Sequence, residues 1–142
     1  MPRIMHWNGR RWGDVVTPDI GMPYGLSSLA ATSAKNVWAV GGRVILHWNG
    51  RRWTCALTPD NLAAVSTSSA DNAWAVGFSG SGTEAVAWHW NGHTWKQVIT
   101  PQPGPVSTLD GVAIIPRSGR AWAVGNADTK TLMLHWNGAA WR

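Results

Sequence analysis

Short apolar runs separated by turn-forming residues recur along the chain. No segment shows the sustained periodicity of apolar positions that marks a helix. Trp-Ala-Val-Gly occurs three times, beginning at Trp38, Trp74 and Trp122. Another apolar run precedes each copy, and these runs lie at 26–31, 62–67 and 109–115. Short apolar runs bounded by turn residues predict β-strands.

His-Trp-Asn-Gly is a second repeated motif, and a further Trp follows every copy after two residues. The copies begin at His6, His47, His89 and His135. Asn-Gly between apolar runs is the strongest short signal for a β-hairpin, because a type I′ turn needs positive φ at both central residues. We therefore predict hairpin turns at Asn8-Gly9, Asn49-Gly50, Asn91-Gly92 and Asn137-Gly138.

The predicted turn type fixes a register for each hairpin. With Asn49 and Gly50 as the two central residues, Trp48 pairs with Arg51, and Leu46 pairs with Trp53. Because side chains alternate between the two faces of a strand, every hairpin then carries a Trp-rich face.

The two motifs follow each other in a fixed order, and Thr-Pro comes after the first three hairpins, at Thr17, Thr58 and Thr100. Each unit of roughly 41 to 46 residues is predicted to form four antiparallel strands, named a to d, as in one blade of a β-propeller. The chain is thus interpreted as one all-β module, 1–142. It comprises a partial blade of strands c and d (1–18) and blades at 26–59, 62–101 and 108–142, the last with a shortened d strand.

The chain is unusually rich in Trp, with 12 Trp against one Tyr and one Phe. A large aromatic side chain buries about 150–250 Å², and the flat faces of propeller blades stack on one another. We therefore assign inter-blade packing to Trp7, Trp12, Trp38, Trp48, Trp53, Trp74, Trp90, Trp95, Trp122, Trp136 and Trp141.

Trp-Ala-Val-Gly followed by His-Trp-Asn-Gly-x-x-Trp resembles the tandem blades of bacterial kelch-like, galactose-oxidase-type β-propellers. The resemblance covers nearly the whole chain, although the double glycine of kelch repeats occurs only at Gly41-Gly42. It implies a propeller fold and an interaction surface. It implies no particular activity, because propellers host many functions.

Three blades are too few for closure, since propellers usually close with roughly four to eight. We therefore expect identical chains to complete the ring, with a six-bladed homodimer favoured and a nine-bladed homotrimer next. In this hypothesis of strand exchange, the N-terminal d strand of one chain completes the last blade of the next. Residues 6–9 and 135–138 then compete for the same c position. A fragment of a longer propeller remains the other interpretation.

The amino-acid composition excludes several classes of protein for this chain. Charged residues make up 13% of the chain against a usual ~25%, and 44% are hydrophobic, which excludes a disordered chain. Cys55 is the single cysteine, so no disulfide scaffold forms. Neither a signal peptide nor a run of ~20 apolar residues is present. We expect no membrane association and, by default, a soluble cytoplasmic protein.

Candidate chemistry is sparse. The four repeated histidines lie on different blades that diverge radially, so we expect no metal site. We expect no cofactor, since 79–82 lacks the lysine of a phosphate-binding loop. Glycosidic cleavage needs two carboxylates beside one bond, and nothing pairs Asp60 with Asp110. Cys55 has no repeat counterpart and is interpreted as a passive thiol. We therefore expect no catalytic residue and no enzyme activity.

The basic and aromatic residues bear on two classes of partner other than the chain itself, nucleic acids and carbohydrates. Arg pairs follow two of the four Asn-Gly turns, but the other two turns lack them, so a basic stripe for nucleic acid is interrupted. Exposed Trp rings that stack on sugars would instead make a multivalent, lectin-like carbohydrate-binding propeller. This is the alternative to a self-assembling scaffold. An enzyme with an active site at the channel mouth ranks below both.

Overall fold

The computed structural model describes residues 1–142 as eleven β-strands without a helix. The strands are β1 (Ile4–Trp7), β2 (Trp12–Val15), β3 (Ser28–Ser33), β4 (Asn36–Trp48), β5 (Trp53–Ser69), β6 (Asn72–Phe78), β7 (Ala85–Trp90), β8 (Trp95–Val98), β9 (Ser107–Ile115), β10 (Arg120–Ala127) and β11 (Lys130–Trp136). All pairings are antiparallel, and the all-β fold class is confirmed. The chain forms no helix with the length and hydropathy needed to span a bilayer.

The strands form a two-stranded sheet (β1-β2), a six-stranded sheet (β3 to β8 in chain order) and a three-stranded sheet (β11-β10-β9). We use the name half-blade for 1–18, and blades 1, 2 and 3 for 26–59, 62–101 and 108–142. β5 pairs with β4 through its first residues and with β6 through its last, so it contributes strand d of blade 1 and strand a of blade 2. This shared strand makes one continuous sheet of two units for which the sequence predicted separate strands.

β4 likewise contains two of the expected strands. Asn36 Oδ1 lies 2.8 Å from His47 Nε2, although eleven residues of straight strand would span about 36 Å. The chain therefore folds back within β4, near Gly42, whose φ of +53° is left-handed. Strands b and c of blade 1 are thus joined by a very tight turn.

The hairpin register differs from the prediction. Trp48 pairs with Trp53 rather than with Arg51, so Asn49 to Arg52 form a four-residue loop. The Asn49 side-chain oxygen accepts hydrogen bonds from the backbone N–H of Arg51 and Arg52, at 2.9 and 3.0 Å. Only the Gly of each Asn-Gly turn has positive φ, between +93° and +99°. The type I′ assignment was therefore wrong, because it left out the Asn side chain as the group that closes the loop.

The glycine that ends each Trp-Ala-Val-Gly lies against the backbone of strand a in the same blade. A Cβ atom on Gly77 would lie 2.9 Å from the Leu62 Cα and closer still to the Asn61 carbonyl oxygen. The equivalent distances are 2.6 Å from Gly41 to Leu26 and 2.7 Å from Gly125 to Leu109. This position thus requires glycine because a side chain would clash with the backbone of strand a. Backbone conformation is not the reason, since the φ of these glycines is not left-handed.

The Thr of each Thr-Pro motif is buried. Thr100 Oγ1 donates a 2.7 Å hydrogen bond to the Ala85 carbonyl oxygen, which fixes the end of strand d to the start of strand c. Thr17 makes the same contact with Pro2 in the half-blade, at 3.2 Å.

Three apolar clusters lie between successive units. Ile4 and Trp53 pack with the small cluster between the half-blade and blade 1. The cluster between blades 1 and 2 includes Trp38, and the largest cluster, between blades 2 and 3, includes Trp74. Much of the core therefore lies between neighbouring blades, so the outward faces of the end units have no such cover.

Candidate functional site

Trp38 in strand b of blade 1 lies between two layers of rings. On one side it stacks on His47 of its own blade, with centroids 4.0 Å apart and planes 24° apart. On the other side it meets the hairpin of blade 2, with centroids 5.1 Å from Trp90 and 5.0 Å from Trp95. Only 2% of Trp38 is exposed. We call this arrangement a tryptophan sandwich: a strand-b Trp between its own His and the Trp pair of the next hairpin.

A second tryptophan sandwich joins blades 2 and 3. The Trp74 ring lies 4.6 Å from His89 in its own blade, 4.9 Å from Trp136 and 5.0 Å from Trp141. Trp74 is also 2% exposed. Because the same contacts occur at both junctions, they define how one blade of this protein recognises the next.

The third sandwich is incomplete. Trp122 packs on His135 at 4.6 Å, yet no hairpin Trp covers its other face, and 43% of its surface is exposed. At the opposite end of the chain, Trp7 and Trp12 form a ring pair at 5.7 Å that covers no strand-b Trp. They are 48% and 61% exposed. The two ends therefore carry complementary halves of one interface.

The half-blade has a second open feature beside its ring pair. β1 pairs only with β2, so its other edge carries no strand. A groove of about 270 Å³ lies next to this edge, and its apolar lining includes Ile4, Leu29 and Trp53. His6 occupies the position of His47 but has no strand-b Trp against it.

The repeated histidines act in packing. His89 Nε2 lies 2.8 Å from Asn72 Oδ1, as His47 does from Asn36 in blade 1. Burial lowers the pKa of both His47 and His89, so a neutral ring between Asn and Trp is favoured. Blade 3 has Arg120 where the other blades have this Asn. No group of three or more His, Cys, Asp or Glu side chains is placed to hold a metal ion.

The candidate carboxylates lie apart in separate contacts. Asp60 is buried and accepts a 2.9 Å hydrogen bond from Trp88 Nε1. Asp110 is exposed and accepts one from Asn126 Nδ2 at 3.2 Å. Cys55 lies exposed on β5, and desolvation raises the pKa of its thiol.

Two hairpin tryptophans also donate hydrogen bonds to backbone carbonyl oxygens. Trp48 is half-buried and donates to the Ala34 carbonyl oxygen at 3.1 Å, and Trp90 donates to Ala70 at 3.0 Å. No packing role was predicted for Trp88, whose indole N–H donates a hydrogen bond to the Asp60 carboxylate. The sequence marks Trp88 only by the fact that the other three hairpins have no Trp at this position.

Neither a protein-family model nor a curated protein sequence matches the chain. Among solved structures, the chain is similar to YCF48, described as bound to a D1 peptide, with a TM-score of 0.60 and 15% sequence identity. The match covers 82% of this chain and 40% of the YCF48 chain, so this chain spans less than half of that one.

YCF48 is a β-propeller, and identity this low shows the fold alone. The chain therefore has a β-propeller fold, as the repeat predicted. Its kelch-like, galactose-oxidase-type character stays a prediction.

Proposed function

We propose that this protein is a self-assembling β-propeller scaffold without catalytic activity, whose ring is completed by identical chains. The observation that supports this is the incomplete tryptophan sandwich. Trp122 exposes 43% of its surface where Trp38 and Trp74 expose 2%. The Trp7–Trp12 pair at the other end of the chain, like Trp48–Trp53, is a hairpin Trp pair with no strand-b Trp against it, and it is the more exposed of the two pairs.

Apolar surface of this kind drives association. Each large aromatic buries about 150–250 Å² when fully covered, and Trp is among the residues that contribute most to protein interfaces. Exposed apolar patches on folded proteins mark sites of interaction. Because the end faces are complementary rather than identical, copies join head to tail, which gives a closed ring when the rotation fits.

Blade number favours a dimer. Propellers usually have roughly four to eight blades. Two chains with three blades each give six, whereas three chains give nine.

The proposal predicts that Trp122→Ala weakens self-association at least about tenfold, since removal of a central interface Trp commonly costs more than about 1.4 kcal/mol. Sedimentation velocity over a range of concentrations measures this. Ile99→Ala is the matched control, because Ile99 is 91% exposed on the outer edge of blade 2 and takes no part in a sandwich. Equal association of the two variants would contradict the proposal.

Carbohydrate binding is the second candidate. The Trp7–Trp12 pair, at 5.7 Å with its planes 53° apart, offers aromatic faces on which a sugar ring could stack. Quenching of Trp fluorescence by a panel of mono- and disaccharides tests this, with Trp12→Ala as the control. A response in the unmodified chain that Trp12→Ala abolishes would support it, and no response to any sugar would exclude those ligands.

A further inference from the structure

We infer that Trp122 of one copy docks directly between its own His135 and the Trp7–Trp12 pair of a second copy, without exchange of strands. This inference rests on the proposed self-association and names its contact surface. It also assigns the half-blade a place in the ring as a separate blade position. Two copies then supply eight positions, the six blades counted above and two half-blades, within the usual range of roughly four to eight.

The two internal junctions supply the geometry. At each of them, a strand-b Trp meets both Trp rings of the next hairpin at centroid distances of 4.9 to 5.1 Å. The Trp7–Trp12 rings lie 5.7 Å apart, and the rings of the docked pairs Trp90–Trp95 and Trp136–Trp141 are both 5.8 Å apart. The half-blade therefore already presents the required pair in the docked geometry.

The half-blade is also already held in place. Ile4 and Trp53 pack with the cluster between the half-blade and blade 1, and all four residues of β1 pair with β2. Thr17 fastens its end to Pro2. Docking thus adds contacts to a formed hairpin and removes none.

Exchange of the whole N-terminal hairpin, β1 with β2, would instead have to displace β11 from strand c of the last blade. Seven residues of β10 pair with β11, and its hairpin is closed by two backbone hydrogen bonds between His135 and Arg142, at 2.8 and 3.0 Å. Alignment of the two hairpins on their Asn-Gly turns places Arg3 where Leu132 is buried. Exchange would therefore expose Leu132 and Leu134, and it would bury the charged Arg3 in place of Leu132. Docking neither exposes these leucines nor buries a charged side chain, and the structure therefore favours docking over exchange.

Complementation between two variants tests the inference. Trp122→Ala removes one half of the contact and Trp12→Ala removes the other, so each alone should associate at least about tenfold more weakly. An equimolar mixture restores one intact junction, the Trp122 of the Trp12→Ala chain against the Trp12 of the Trp122→Ala chain. We expect the mixture to associate more tightly than either variant alone. A mixture no better than its components would overturn the inference.

A disulfide tests whether the N-terminal hairpin of another copy replaces β11. Val124 and Met133 are register partners on β10 and β11, and both are exposed, so Val124→Cys/Met133→Cys in a Cys55→Ser background should join these strands within one chain. Docking predicts unchanged association with the disulfide formed and after its reduction. Association lost on oxidation and regained on reduction would show exchange and overturn the inference, while self-association itself would stand. If the unmodified chain stayed monomeric at every concentration, the proposed function would fail as well.

Discussion

Gly77→Ala isolates the close contact that explains why each Trp-Ala-Val-Gly motif ends in glycine. The new Cβ would lie 2.9 Å from the Leu62 Cα and nearer still to the Asn61 carbonyl oxygen. Carbon atoms in contact prefer separations of about 3.5–4.0 Å, so strands a and b must move apart by more than about 0.5 Å. Both neighbours are backbone atoms of paired strands, and no side chain can rotate away.

The expected cost follows from that rigidity. Overpacking in a core commonly costs about 1–3 kcal/mol and occasionally more. Because the clash here is with backbone, we expect about 3 kcal/mol, a large share of the ~5–15 kcal/mol that usually stabilises a domain. Urea denaturation followed by far-UV circular dichroism gives the free energy of unfolding.

Gly13→Ala is the matched control for this substitution. Gly13 also lies in a strand and lacks positive φ, but a Cβ there meets no atom within 4 Å. Its free energy of unfolding should change by no more than about 0.5 kcal/mol. Equal losses for Gly77→Ala and Gly13→Ala would refute the explanation by lack of space.

Three further sets of variants test the packing within and between the blades. Trp74→Ala should lower the free energy of unfolding by about 3–5 kcal/mol, because the ring is almost fully buried, and a loss below about 1 kcal/mol would contradict the sandwich. Thr100→Val should cost about 1–3 kcal/mol through the lost 2.7 Å hydrogen bond, whereas Thr54→Val, at an exposed 3.4 Å contact, should cost little. Similar losses would contradict a special role for the buried Thr. Burial holds the pKa of His47 and His89 below the ordinary 6.5, so the unfolded chain binds protons first and stability should fall as pH drops below 6.5. The midpoint of thermal unfolding measured against pH should flatten in the His47→Gln/His89→Gln variant, and an unchanged profile would exclude these residues as the cause.

Much of the fold was predictable because the repeat is explicit. Three copies of Trp-Ala-Val-Gly and four of His-Trp-Asn-Gly impose a periodic all-β chain, and the comparison with YCF48 confirms the propeller. The hairpin register was not predicted, because Asn49 closes its loop through a side-chain oxygen. Turn statistics for Asn-Gly favour a shorter loop. The dual use of β5 was not predicted either, because the sequence interpretation ends one blade at 59 and starts the next at 62, whereas β5 runs without a break from Trp53 to Ser69.

The candidate site was predicted only in outline. Alternation of side chains places two Trp on one face of each hairpin, yet it does not say which Trp of which blade meets them. The partner of Trp90 and Trp95 is Trp38, more than forty residues earlier in the chain. Such contacts depend on the relative placement of whole blades. The stacking of each strand-b Trp on the His of its own blade, as in Trp38 on His47, was not predicted either. The two residues belong to different motifs, and neither motif alone indicates the contact.

Absolute mass in solution is the most direct test of self-association. Light scattering on a sizing column should give twice the chain mass of 15.4 kDa for the favoured dimer. Three times that mass would indicate the trimer and overturn the dimer. A folded species of 15.4 kDa at every concentration would contradict completion of the ring by identical chains.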